Sequence, residues 1–303
     1  MKVWLNGATH FAGQVPRIAA GFREIGWEVT EYITEADLVY SNNSHEQVIK
    51  DKGNGTIKPG AKVILTCLDI PLHLLPGFDM KGLGDQLSAA DAVCAISEYG
   101  QWQLDHYLGI KSHVIYQPVK PVSYQPEISR KPFYRFAHIG RRTDPNKHFQ
   151  LGPLALNLLG YTQNDLCLIG NEPGWGDYVG VLNDENLNII YNSVDFVFCL
   201  GKIEGLSLTP IEAAAAGAIP IICNHLTTRE ELFPTDIFPE YEDVHPTPRS
   251  IATFISYFVN EESGDRMREM KFRLRSHFNL NLKEKVSPAG VARRIEAVYK
   301  TLT

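Results

Sequence analysis

Between residues 195 and 223 the chain passes from an apolar run through a loop and a helix to a second apolar run, and this pattern constrains the fold more than any other. Residues 195–200 (DFVFCL) form a strand-like run. Thr209 and Pro210 then open a helix, a hydroxyl N-cap candidate followed by the residue best suited to the first helical position. The small residues 213–216 let that helix pack closely, Gly217 ends it, and residues 219–223 read as the next buried strand. Two acids frame the helix start. Glu204 lies on the loop at the strand's C-terminal end, and Glu212 lies one turn into the helix. Unpaired N–H groups at a helix N-terminus attract anions. An anion site flanked by two carboxylates suits a nucleotide diphosphate that carries a sugar.

The same strand–helix alternation runs through both halves, which predicts an α/β architecture with parallel sheets. In the first half the expected strands are residues 2–6, 28–32, 37–40, 62–66, 92–96 and 113–116. Helices are expected over 14–25, with Ile18, Phe22 and Ile25 on the apolar face, and over 98–108, ended by Gly109. Prolines at 118, 121, 126 and 132 make 117–133 an extended linker and a hinge candidate. Strands then resume from Tyr134 and over 166–169, 196–200 and 219–223, with 187–190 and 236–238 as short strands or turns. The last helices are expected at 251–259, 265–277 and 288–302. The domains expected are 1–120, completed by a C-terminal helix at 288–303, and 131–287. Two doubly wound domains place a ligand crevice at the C-terminal ends of their strands.

At 303 residues the chain suits two domains of roughly 150 each. The net charge of −6, spread over both halves, argues against a dedicated nucleic-acid binder, although a nucleic-acid base stays open as an acceptor. No apolar run reaches the ~18 residues of a membrane span. The N-terminal apolar stretch is too short for a signal peptide. Cys67, Cys94, Cys167, Cys199 and Cys223 each lie in or beside apolar runs without a C-x-x-C pair. They read as reduced core thiols of a cytosolic protein, without the ligand spacing of zinc. Arg266, Arg268, Lys271, Arg273 and Arg275 form a basic helix, read either as a solvated face or as a contact for an anionic acceptor or a membrane surface.

The segment from Glu204 to Pro220 (EGLSLTPIEAAAAGAIP) resembles the E-x7-E motif of the retaining GT-B glycosyltransferases of family 4, the "glycosyl transferases group 1". The resemblance is strongest over 137–223. It implies an α/β GT-B fold: two doubly wound Rossmann-like domains facing a central cleft. It also implies that Glu204 lies by the donor sugar, that Glu212 binds the ribose hydroxyls, and that the backbone of Gly205, Leu206, Ser207 and Leu208 approaches the diphosphate. The run from His138 to Lys147 resembles the family's G-R-x-x-x-x-K loop, where an Arg and a Lys neutralise the leaving diphosphate. With one residue more than the usual spacing, Arg141 and Arg142 are both candidates beside Lys147, and counting back from Lys147 favours Arg142. The loop after the first strand resembles the family's glycine loop, with Gly13 near the phosphate and Ala12 in place of a second glycine. Where many members carry a His-Asp segment, this chain has Leu68 and Asp69. Asp69, or His73 further on, is a candidate contact for sugar or acceptor. Ser97 reads as a helix cap. Gly170-Asn171-Glu172-Pro173 resembles the turn beyond which, up to Tyr191, the family holds the base.

By resemblance the activity is a metal-independent transfer of a sugar, with retention, from a nucleotide diphosphate sugar to an acceptor hydroxyl. A UDP-sugar is the first candidate donor, and no cofactor or metal ligand is assigned. The chain carries no D-x-D motif, through which many metal-dependent transferases hold the diphosphate. A non-catalytic sugar-nucleotide or partner-binding protein on the same fold, or an epimerase or phosphorylase, is the alternative. The expected compartment is the cytoplasm, with peripheral membrane contact left open by the basic helix.

Overall fold

The structure is a computed structural model that describes residues 1–7, 14–42, 45–68, 79–120, 122–128, 134–140, 142–144, 147–202, 204–224, 226–260 and 264–303. The chain divides into two compact units, Met1–Val119 with Lys283–Thr303, and Lys120–Leu282.

The first unit runs β1 (Lys2–Gly7), α1 (Gln14–Glu24), β2 (Glu28–Val29), β3 (Leu38–Asn42), α2 (His45–Gly53), β4 (Lys62–Cys67), α3 (Met80–Ser88), β5 (Ala92–Ala95), α4 (Glu98–Leu108) and β6 (His113–Val114). The strands pair in parallel in the order β2-β1-β3-β4-β5-β6. A parallel sheet is covered on both faces by its crossovers, and β3 is accordingly buried at every residue. Helix α4 follows the sequence reading at both ends. The Ser97 hydroxyl accepts from the Gly100 amide at 2.9 Å, and Gly109 closes the helix in the left-handed conformation at φ 65°. β2 and β6 are two-residue edge strands, shorter than their apolar runs suggested.

The C-terminal segment, α11 (Lys283–Val286) and α12 (Pro288–Thr301), belongs to this first unit. Val291, Ala292 and Ile295 of α12 are fully buried with Ile18 and Phe22 of α1 and with Val3, Leu38 and Ile64 of the sheet. The approach of α12 to α1 is close enough to need a glycine, because a Cβ on Gly21 would sit 2.0 Å from the Pro288 carbonyl oxygen.

The second unit runs β7 (Phe136–Ile139), α5 (Leu151–Leu158), β8 (Leu166–Ile169), β9 (Asp177–Gly180), α6 (Asp184–Ser193), β10 (Phe196–Cys199), α7 (Thr209–Ala216), β11 (Ile219–Ile222), α8 (Thr227–Leu232), α9 (Pro248–Val259) and α10 (Gly264–His277), closed by a π-helical turn at Phe278–Leu282. Its parallel order is β11-β10-β7-β8-β9. Phe136, Phe196 and Phe198 stack in its core with ring centroids 5.4 and 5.9 Å apart. Pro220 lies in edge strand β11, the position where a missing N–H is tolerated, and its carbonyl accepts from the buried Tyr241 hydroxyl at 2.8 Å.

Several expectations are corrected here. Residues 187–190, read as a strand or turn, lie inside α6. The Asn183 side chain caps that helix by accepting from the Asn186 amide, and Leu187, Asn188 and Tyr191 form its buried face. Residues 236–238 form no strand and lead into a 3-10 turn at Pro239–Tyr241. β9, with an exposed and weakly apolar sequence, gave no strand signal. The described part of 117–133 has no regular structure, yet from Lys120 onward it is fastened to α6. The Ser123 amide donates to Asn188 Oδ1 at 3.1 Å and the Gln125 amide to Asn192 Oδ1 at 2.7 Å.

Helix α10 is a solvated basic face only in part: Arg266 and Arg268 are exposed, but the other three cations are not. Lys271 is buried and meets Asp195 at 2.5 Å, where Arg135 joins it from the other side. Arg273 pairs with Glu240, and Arg275 lies 4.1 Å above the Tyr124 ring. The helix spends Lys271, Arg273 and Arg275 on holding its own unit together.

The α1–α12 contact predicts that Gly21→Ala destabilises the first unit by about 1–3 kcal/mol through overpacking. Gly53→Ala, at the end of α2 with no atom within 4 Å of the added methyl, is the matched control and leaves stability equal or higher. Urea midpoints of the two variants check this.

Candidate functional site

In the second unit the chain leaves β7 toward β8 on one side, and it later returns to place β10 on the other side of β7. β7 and β10 thus flank a topological switch point. In open α/β sheets ligands bind outside the C-terminal ends of strands at such a point. The loops that leave these two strands carry Lys147 and Glu204.

Those side chains meet. Lys147 Nζ donates to Glu204 Oε1 at 2.5 Å, with Glu204 mostly buried and Lys147 about one-third exposed. Gly201 makes room for this carboxylate, since a Cβ there would lie 2.3 Å from Glu204 Oε1. Beside them the loops after β7 and β8 are locked together. Gly140 donates its amide to the Ile169 carbonyl at 2.9 Å, and a Cβ on Gly170 would meet the Gly140 carbonyl at 2.1 Å. Arg142 is exposed and donates to the Pro173 carbonyl, while the Thr143 hydroxyl donates to Glu172 at 2.9 Å. The structure therefore unites Lys147 with Glu204 directly, and it joins Arg142 to the loop after β8. Gly13, Asp69, His73 and Arg141 lie outside the described residues.

Helix α7 begins one residue earlier than its sequence suggests. Leu208 is the N-cap, without a side-chain bond, and Thr209 is the first helical residue rather than the cap. Just ahead of the cap, Thr228 of α8 accepts the Ser207 amide at 2.7 Å and fixes the loop that enters the helix. One of the amides expected to face a diphosphate is thus already engaged, and the helix presents the amides after it. Ala213–Ala216 are all buried, and Gly217 closes the helix at φ 86°. Glu212, in the first turn where the helix dipole favours an anion, is buried. Its Oε1 accepts from the Lys120 amide at 3.1 Å and its Oε2 from the Tyr191 hydroxyl at 2.8 Å. Burial of a carboxylate is tolerated because both oxygens are bonded.

The surroundings fix protonation states. Burial, then the nearby Glu212 charge, holds the Tyr191 phenol well above its ordinary pKa, so it stays a donor. Burial, then Glu204, does the same for the Cys199 thiol beneath the site. All five cysteines are buried and none is in a disulfide. His138 on β7 is buried, stacks on Phe149 at 3.7 Å between ring centroids, and has no hydrogen-bond partner at Nδ1 among the described residues. Desolvation, and then the Lys147 charge, pushes its pKa down to about 3. Among the described residues no three His, Cys, Asp or Glu side chains cluster as a metal site requires. Tyr191, Thr228 and Gly201 were not legible as site residues, because their partners lie 21, 21 and three positions away and are set by the tertiary fold or the loop path.

No protein-family model and no curated protein matches this sequence. Solved structures do match it along its length. A glycosyltransferase from Rickettsia africae ESF-5 aligns with a TM-score of 0.73 at 14% identity, covering 99% of this chain and 98% of that one. A sucrose-phosphate synthase from Thermosynechococcus elongatus aligns with a TM-score of 0.73 at 12% identity, over 100% and 99% of the two chains. A trehalose-6-phosphate synthase aligns with a TM-score of 0.67 at 11% identity, also over 100% and 99%. At such identities the likeness establishes the fold, and the fold is GT-B: α/β, with two parallel sheets and their surrounding helices.

The neutral state of His138 predicts an acid-sensitive contribution to stability. The unfolded chain protonates this histidine near 6.5 and the folded chain only near 3. Its contribution is therefore complete above pH 6.5 and is lost as pH falls from there toward 3, at a slope of about 1.4 kcal/mol per pH unit. His138→Gln flattens that part of the profile, measured as urea stability between pH 6.5 and 5.

Proposed function

We propose that this chain is a retaining glycosyltransferase that moves a sugar from a nucleotide diphosphate donor to an acceptor hydroxyl, with UDP-sugars first among the candidate donors. The observation that carries this reading is the Lys147–Glu204 ion pair at the β7/β10 switch point, in the same loop-to-helix segment as the buried Glu212. A GT-B fold supplies the setting, and the three structural neighbours are a glycosyltransferase, a sucrose-phosphate synthase and a trehalose-6-phosphate synthase.

In this reading the diphosphate takes over Lys147 from Glu204, and the amides at the start of α7 share its developing charge. Arg142 joins by leaving the Pro173 carbonyl, with Arg141 the other guanidinium assigned to that task. Glu204, released from Lys147, positions the sugar and offsets the positive charge of its oxocarbenium-like state. Glu212 holds the ribose hydroxyls, and a carboxylate suits this because each oxygen accepts more than one hydrogen bond. The acceptor hydroxyl attacks from the face the diphosphate leaves, and its proton passes to the leaving phosphate. The positive charge at the site comes from side chains and a helix, which suits a transferase that works without a bound metal. Five reduced thiols suit a reducing compartment such as the cytoplasm.

A thermal-shift panel of nucleoside diphosphates and their sugars, with and without Mg²⁺, tests donor binding, because a ligand of the folded state raises the melting temperature. Glu204→Gln is expected to lower turnover by about 10²-fold or more while donor affinity stays within a few-fold of wild type. Turnover by Glu204→Gln at the wild-type rate would overturn the assignment. Donor binding by the wild type without transfer to any acceptor would mark a binding protein on the same fold.

A further inference from the structure

Glu212 does not stand in its site unaided. Helix α6 turns Tyr191 inward, fully buried, and the phenol donates to Glu212 Oε2 at 2.8 Å. The Thr209 side chain, in the first turn of α7, lies beside the same phenol. The Lys120 amide holds the other oxygen, Oε1, at 3.1 Å. The two donors come from separate segments of the second unit, and together they fix the carboxylate in one orientation.

We propose that Tyr191 is a positioning residue that acts through Glu212 and sets the site's demand for an intact ribose 2′,3′-diol. The inference rests on the reading of Glu212 as the ribose ligand and goes beyond it. A carboxylate oxygen has two lone-pair sites. With one site on Oε2 taken by Tyr191 and one on Oε1 taken by the Lys120 amide, the plane of the carboxylate is set before any ligand arrives. A vicinal diol offers two donors at a fixed spacing, and it gains most from an acceptor pair that cannot rotate. Without the phenol, Glu212 keeps its charge but loses the bond that fixes Oε2, and part of the diol's binding is spent on ordering the carboxylate. A Tyr191 that only filled core volume would have no reason to distinguish a ribonucleotide from its dideoxy analogue.

Calorimetric titration measures this with UDP, GDP and ADP, followed by the 2′,3′-dideoxy form of whichever binds best, on wild type, Tyr191→Phe and Thr209→Val. Wild type is expected to prefer the ribonucleotide by tenfold or more. Tyr191→Phe is expected to weaken the ribonucleotide by about tenfold and to leave the dideoxy form within twofold, so that the preference collapses. Thr209→Val keeps the Tyr191–Glu212 bond and shifts the preference the same way by less. It also serves as the readout if Tyr191→Phe does not fold. Equal weakening of both nucleotides, or no change in the ribonucleotide, overturns the role of Tyr191 and leaves the transferase reading intact. A wild type that binds none of the three diphosphates overturns both.

Discussion

Much of this chain's candidate chemistry depends on the position of β7 between β10 and β8. Parallel strands require crossovers on the sheet faces, so the loops that follow the strands gather along one edge. Because β10 returns to the near side of β7, the loop after the fourth strand of the second unit falls beside the loop after its first. Lys147 and Glu204, 57 positions apart, meet there at 2.5 Å. The glycines that let the loops approach, Gly140, Gly170 and Gly201, lie just past the ends of β7, β8 and β10.

Charge in the second unit is divided between frame and site. Asp195, at the entry to β10, is held by Arg135 and by the buried Lys271. That arrangement consumes the most buried cation of α10 and anchors the helix to the start of β10. On the strands, His138 is neutral and Cys199 is a protonated thiol, so neither adds a charge beside Lys147. The exposed half of the arrangement, Lys147 and Arg142, is then the part that can exchange partners.

The apolar periodicity made most of the fold readable. Strands β1, β4, β8, β10 and β11 and helices α1, α4, α10 and α12 lie where their runs and caps place them, because buried parallel strands and capped amphipathic helices leave local signals. α6 did not, since its LNII segment has β-like local preference and its helical state is decided by the Asn183 cap and the packing of Leu187 and Tyr191. The start of α7 was misplaced by one residue for a related reason. Thr209 has the composition of a cap, but it takes the first helical position behind Leu208, whose side chain makes no cap bond, while Thr228 holds the Ser207 amide in the loop before it.

By itself the sequence determined the α/β class, the strand–loop–helix setting of Glu204 and Glu212, and the basic loop that ends in Lys147. These are local patterns, written in spacing and residue type. Only the tertiary structure decided which of these groups touch. It paired Lys147 with Glu204, sent Arg142 to Pro173, turned Lys271 inward to Asp195, and set Tyr191 on Glu212. The physical reason is that strand order is not encoded along the chain. It follows from which sheet edges can be covered and which loops can cross, and those conditions are met only when the whole unit packs.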